Sequence, residues 1–96
     1  MTENLQMIKI RKIKADGTEV ELTVHESEIT LKFMQEHVGG YIQIISLNER
    51  QSLVLNEEGK ILDLKPNSRA TFMMRERYRT TDYIVGDVLV MPNKYL

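Results

Sequence analysis

The chain has 96 residues, 42% hydrophobic and 28% charged, with thirteen basic residues against fourteen acidic for a formal net charge of −1. That length suits one domain with a single core, leaves little room for a large enclosed active site, and supplies no global field to draw the protein onto nucleic acid. The absence of cysteine excludes disulfides, thiolate nucleophiles and sulfur-dependent zinc sites, and two histidines are too few for a His-rich metal site.

From Leu5 to Val24 the sequence reads as a hairpin. Ile8 and Ile10 alternate with Lys9 and Arg11, "KADGTE" interrupts, and Val20, Leu22 and Val24 alternate with Glu19, Glu21 and Thr23. Asp16-Gly17 supplies the positive-φ residue of a tight reversal. The basic and acidic residues face each other across the strands, a match worth about 0.2–1 kcal/mol per pair. Ile13 breaks the alternation, which predicts a bulge or a strand end near Lys12.

Residues 28–38, "EITLKFMQEHV", carry a helical period. Ile29, Thr30, Leu31, Phe33, Met34, His37 and Val38 share a broad arc, with Glu28, Lys32, Gln35 and Glu36 opposite. Ser27 is the expected N-cap, competing with a start signal from Thr23 and Glu26. Gly39 is expected to end the helix in the left-handed conformation and Gly40 to free the chain for the next strand. His37 sits at the helix C-terminus, where the dipole favours a protonated ring, and a hydrogen-bonded structural role is expected ahead of a general base.

Residues 41–47, "YIQIISL", follow as a strand with apolar residues on both faces, which predicts a central position in the sheet. After a turn at "NERQ", residues 52–56 form another strand. Asn56 opens a turn in which Gly59 is expected as the left-handed bulge residue of a hairpin returning through 60–63. Glu57 and Glu58 splay apart in such a turn and stay solvated, which argues against a catalytic pair. Ser68 is the expected cap of a second helix over "RATFMMRER", a segment that also reads as an extended stretch. "RTTD" is a loop, "YIVGDVLVM" a strand interrupted at Gly86-Asp87, and "PNKYL" trails off. The sum is a single α+β domain over residues 1–96, a mostly antiparallel sheet with one main helix packed on it, in the order ββαβββαβ.

No hydrolase elbow, phosphate-binding loop, dinucleotide glycine pattern or His-Glu-His metal motif occurs in the sequence, so the chain is expected to be no enzyme and to carry no cofactor or metal. Charge concentrates only from Arg69 to Arg79, where Arg69, Arg75, Arg77 and Arg79 accompany the single acid Glu76, with Tyr78 among them. Guanidinium groups bind phosphate bidentately and stack on bases, so an anionic or nucleotide ligand is chemically reasonable; the competing reading is a solvated helix face. Gly39, Gly40 and Tyr41 would join such a site with backbone N–H groups and a ring. No apolar run approaches the roughly 20 residues of a membrane span, and "MTENLQMIKIRKIK" lacks the apolar centre of a signal peptide, so a cytosolic location is expected.

Three blocks, "VGGYIQII" (38–45), "LNEEGKILDLKPNSRAT" (55–71) and "DYIVGDVLV" (82–90), resemble in order and spacing the signature of a small-domain family known only as domain of unknown function 3846. Gln43 stands where that family usually has an acid, and "LKPN" where "LPxN" is common. The resemblance implies a phage, plasmid or Gram-positive bacterial setting and no established activity. By analogy it favours a non-catalytic binding module that sequesters a host protein or a phosphorylated or nucleotide ligand. A nucleic-acid-associated regulator, disfavoured by the net charge, and a structural accessory protein forming homo-oligomers are the alternatives. The positions expected to carry binding are Gly39, Gly40, Tyr41, Gln43, Asn56, Glu57, Asn67, Arg69, Arg75, Arg77 and Asp87. Their turn-forming character also fits cap and hairpin chemistry alone.

Overall fold

A computed structural model describes residues 6–96. Leu5, where the first hairpin was expected to begin, lies outside the described residues. The strands are β1 (Met7–Ile13), β2 (Glu19–His25), β3 (Ile42–Ser46), β4 (Gln51–Asn56) and β5 (Val88–Pro92), and the helices are α1 (Leu31–Val38) and α2 (Ser68–Arg77). All five strands join one sheet in the order β2-β1-β5-β4-β3, with every pairing antiparallel. Among the described residues no helix is long and apolar enough to cross a membrane.

Side-chain alternation divides the core into two layers. On one face Ile10, Val54, Leu89 and Met91 pack against Met34 and Val38 of α1, with Leu22, Phe33 and Ile42 at the margin. On the other, Ile13, Leu53, Leu55, Val88 and Val90 pack against Ala70 and Met74 of α2. The expected single covering helix is therefore two helices, one on each face. β4 and β5 are apolar at successive positions because both of their faces are covered, the burial pattern of central strands.

The α+β class, the antiparallel sheet and the first hairpin stand as expected, and several local readings are corrected. β1 and β2 pair without a bulge from Met7↔His25 to Ile13↔Glu19. Ile13 breaks the alternation because it serves the core under α2, whereas Ile8 and Ile10 serve the core under α1. Gly17 takes φ 94° in the turn, and Lys9 pairs with Glu21 across the strands at 3.8 Å.

α1 starts at Leu31 with Thr30 as its cap, the Thr30 hydroxyl accepting from the Phe33 N–H at 3.1 Å, so neither Ser27 nor Thr23 opens it. Residues Glu26–Glu28 form a separate 3-10 turn capped by His25.

β3 is an edge strand rather than a central one. Its apolar residues face both ways because a helix lies on each side of the sheet, with Ile42 toward α1 and Ile45 toward the α2 core.

Residues 60–63 form no strand. The chain coils through a run of turns in which the Leu62 N–H donates to Glu58 O (2.9 Å) and the Leu64 N–H to Gly59 O (3.0 Å). The order is therefore ββαββαβ. Gly59 does not take a positive φ; a Cβ there would lie 2.7 Å from the Val85 side chain, so close approach is what this position requires.

α2 is helical, with Asn67 rather than Ser68 as its cap. The last strand begins only at Val88, after the positive-φ bend at Gly86, while Val85 bridges to Pro66. "PNKYL" does not trail off: Pro92 ends β5, Asn93–Tyr95 make a 3-10 turn, and Tyr95 packs on the α1-side core.

Candidate functional site

The residues singled out in the sequence fall into three separate places. At the end of α1, Gly39 adopts φ 84°, and the N–H groups of Gly39 and Gly40 both donate to Gln35 O (2.8 and 3.1 Å). Gly40 lies against Asn56, whose buried side chain donates from Nδ2 to Val38 O (3.1 Å) and accepts the Glu58 N–H at Oδ1 (2.8 Å). A Cβ on Gly40 would meet that Nδ2 at 3.1 Å, tight enough that the amide would have to give. The paired glycines therefore end a helix and admit the amide that satisfies its last turn. The Glu57 N–H closes the sheet onto Tyr41 O at 2.8 Å, and its side chain is exposed. Gln43 lines a small cleft of about 110 Å³ with Glu57, Gly59, Lys60 and Tyr83. The Tyr41 ring stands in solvent, 65% exposed.

Asn67 and Asp87 make a second group. Asn67 is 1% exposed, and its Nδ2 donates to Ile13 O (3.0 Å) and Gly86 O (2.9 Å) while Oδ1 accepts the Ala70 N–H (3.0 Å). One amide thus ties the end of β1, the bend before β5 and the first turn of α2. Asp87 accepts the Ala15 N–H at 2.9 Å, fixing the β1–β2 turn to the same bend. The buried Asn67 amide is fully committed, and Asp87 spends one carboxylate oxygen on the turn; together they set where the hairpin turn and the start of α2 stand.

The four arginines do not form one cluster. Arg75 donates from Nε to Asp82 O and from Nη2 to Thr81 O, both at 3.0 Å, which holds the loop after α2. Arg77 lies over the ring of its neighbour Tyr78, 5.2 Å from the centroid, and Arg79 is exposed. Arg69 instead reaches the hairpin, with Nη2 2.8 Å from Glu19 Oε2, while Arg11 donates from Nε to the other oxygen of the same carboxylate. The Arg11 hydrogen bond, joined by the charges of Arg11 and Arg69, holds the Glu19 carboxyl below the usual carboxylate range. No arginine shares the Gln43 cleft, which takes only Met74 from α2, so the Gly-Gly-Tyr turn and the basic segment line no common site.

What the fold does bring together is an open groove of about 720 Å³ between the β1–β2 turn and the first turns of α2. Arg11, Ala15, Asp16 and Gly17 form one wall, and Ser68, Arg69, Phe72 and Met73 the other. The volume lies within the range of small-molecule sites. Phe72 is 64% exposed although it sits mid-helix, and it presents an open ring beside the two guanidiniums. Each guanidinium spends only part of its five donors on Glu19. The cap leaves the N–H groups of Ser68 and Arg69 ahead of the first intrahelical bond, Thr71 N–H to Asn67 O at 3.0 Å. Lys14 and Lys65 lie close enough to Asp16 to help lower its carboxyl pKa, behind the dominant hydrogen bonds from Thr18.

Of the expected site residues only Arg69 lines this groove; Arg11, Gly17 and Phe72 were not foreseen. The available signal was the i, i+3 spacing of Arg69 and Phe72, but their meeting with the hairpin depends on the long-range ties of Asn67 and Asp87.

His37 departs from its expected charge state. Burial, and then the charge of Lys12, hold its pKa below the ordinary value against a weaker pull from Glu36. Its Nδ1 lies 3.2 Å from Lys12 Nζ and its ring tilts against Phe33 at 4.6 Å, the hydrogen-bonded structural role expected of it.

No curated protein and no solved structure matches the chain. The family model described as "Domain of unknown function (DUF3846)" matches residues 9–94, which takes in both helices and nearly all of the sheet. The chain belongs to that family.

Proposed function

We propose that this protein is a non-catalytic binding module, and that the groove between the β1–β2 turn and α2 takes a small phosphorylated ligand carrying a flat ring, of which a nucleotide is the simplest example. The observation that carries this reading is Glu19 gripped by Arg11 and Arg69 at the wall of an open groove that also exposes the Phe72 ring. Two guanidiniums already arranged on one carboxylate can receive a phosphate with little reorganisation, and an aromatic face accepts a base by stacking.

Binding without turnover agrees with the state of the shifted carboxyls, all of which are lowered. Asp16 in the groove and Glu19 beside it are engaged by Thr18 and by the two arginines, which makes them weak proton acceptors. A phage or mobile-element setting belongs to the same proposal and rests on the sequence resemblance. Nucleic acid is a weaker reading, since the net charge is −1 and Arg75 is committed to the loop.

Calorimetry against a panel of mono- and dinucleotides tests the proposal. Wild type is expected to bind one member stoichiometrically and return it unchanged. Arg69→Ala should weaken that binding by about tenfold, the scale of one charge-assisted contact, whereas Arg77→Ala should leave it unaltered. Ligand consumed at enzyme-like rates, or equal affinity in wild type and Arg69→Ala, would overturn it.

A further inference from the structure

The sheet has two edges, and they are protected differently. In the β1–β2 ladder the even-numbered residues exchange hydrogen bonds, as the flanking bonds Glu26 N–H to Gln6 O (2.9 Å) and Lys14 N–H to Thr18 O (2.8 Å) show. The backbone groups that β2 turns outward therefore belong to Glu19, Glu21, Thr23 and His25; the first two carry charges that discourage strand addition, and the His25 N–H is already taken by the Glu28 carboxylate. In the β3–β4 ladder the bonds Glu57 N–H to Tyr41 O (2.8 Å) and Leu47 N–H to Gln51 O (3.0 Å) assign the odd-numbered residues to the ladder. β3 thus turns outward the N–H and C=O groups of Ile42, Ile44 and Ser46. From 41 to 47, "YIQIISL", there is no charge, no proline and no glycine. Ile44 is 48% exposed, and the exposed Tyr41 ring stands just before the strand.

We infer that β3 pairs antiparallel with β3 of a second copy of this chain, giving a twofold dimer with one continuous sheet. The backbone itself selects the register. Ser46 O is already taken by the Tyr78 hydroxyl at 2.8 Å, and the Gly40 N–H by Gln35 O. Setting Ile42 of one copy opposite Ile44 of the second lets each exchange N–H and C=O with the other, twice by symmetry. It also puts the occupied Ser46 carbonyl opposite the occupied Gly40 N–H, so neither is asked for a bond it cannot make. Sliding the strands until Ile44 meets Ile44 would set the Ile42 N–H against the occupied Ser46 carbonyl. In the favoured register Ile42 and Ile44 also meet side by side on one face, and the two Gln43 amides meet on the other. An uncharged strand with self-matching free groups fits its own copy better than a charged partner segment. The inference does not depend on the groove, which lies across the sheet from β3.

So short a contact falls at the small end of interface sizes, so the dissociation constant should be on the order of 10–100 µM. Sedimentation equilibrium of wild type from about 5 to 500 µM, spanning that range, should show a monomer–dimer equilibrium. Ile44→Pro removes an outward N–H that the β4 ladder does not use, and Ile44→Lys places a charge on the edge; each should weaken dimerisation at least about tenfold with the circular dichroism unchanged. In wild type alone, hydrogen exchange at the Ile42 and Ile44 amides should slow as concentration rises, while that at the Glu21 and Thr23 amides should not. A wild type that stays monomeric across the range, a dimer that both substitutions leave intact, or protection appearing on β2 would each overturn the inference. Monomeric wild type whose β3 amides are protected by an added peptide would overturn it in favour of a foreign strand.

Discussion

Replacing Asn67 tests how much of this fold hangs on one side chain. Asn67→Ala removes the α2 cap, worth about 1 kcal/mol. It also leaves the carbonyls of Ile13 and Gly86 without the Nδ2 donor they share. With the site 1% exposed, water cannot replace that donor: the stranded Gly86 carbonyl costs about 1–2 kcal/mol, and Ile13 O, which keeps its place in the β1–β5 ladder, loses about 1 kcal/mol. The sum, about 3–4 kcal/mol, is a large share of the 5–15 kcal/mol typical of a domain. With a urea slope near 1 kcal/mol per M, the unfolding midpoint should fall by roughly 3 M. Asn67→Asp separates the two contributions, because the carboxylate keeps the cap but turns an acceptor toward both carbonyls. Its folded pKa should rise above the unfolded value of about 3.9. The variant is then least impaired below that value and loses stability as pH rises from there through the folded pKa. A loss under about 1 kcal/mol for Asn67→Ala, less than these terms predict, or an Asn67→Asp variant as stable as wild type at pH 7, would refute the reasoning.

Other outcomes follow from the same contacts. His37 is held below its unfolded pKa of about 6.5, so its contribution is complete above that value and is lost as pH falls through the folded pKa. The thermal unfolding midpoint should therefore fall on acidification from pH 7 toward pH 5, and His37→Gln should flatten that dependence. Lys12→Met should raise the His37 pKa only in part, since burial is the larger cause, which an NMR titration of the ring would read. Gly59→Ala should cost about 1–3 kcal/mol by driving a methyl into Val85, at 2.7 Å in a buried site. Gly17→Ala meets nothing within 4 Å and should cost only the left-handed strain of about 1–2 kcal/mol. Denaturant titration of the pair orders the two.

Local periodicity made much of the fold legible. The β1–β2 hairpin, the Gly39 stop and the bend at Gly86 each rest on residues within a few positions of one another. The errors came where a distant element changes the meaning of a pattern. "YIQIISL" looks central because apolar residues alternate onto both faces, but the cause is a helix on each side of an edge strand. "KILD" has strand-like residues, but Gly59 packs against Val85, and the chain coils there instead of returning beside β4. The N-terminal cap of α1 shifted from Ser27 to Thr30 because β2 continues to His25, which then caps its own 3-10 turn.

The candidate site was less legible for a related reason. Asn56, Asn67 and Asp87 attract notice as polar residues in apolar surroundings, and each holds backbone with its side chain. The arginine segment reads as one basic patch, yet at helical spacing Arg69 reaches the hairpin, Arg75 the following loop and Arg77 its own neighbour. Arg11 lies 58 positions before Arg69, and only the strand register with Glu19 shows that the two converge.

The proposed role of the groove is most directly tested by amide NMR of the labelled protein during a nucleotide titration. Saturable shifts confined to Gly17, Ser68, Arg69 and Phe72 are the predicted result. Shifts centred on Gln43, Lys60 and Tyr83, or none across the nucleotide panel, would contradict it.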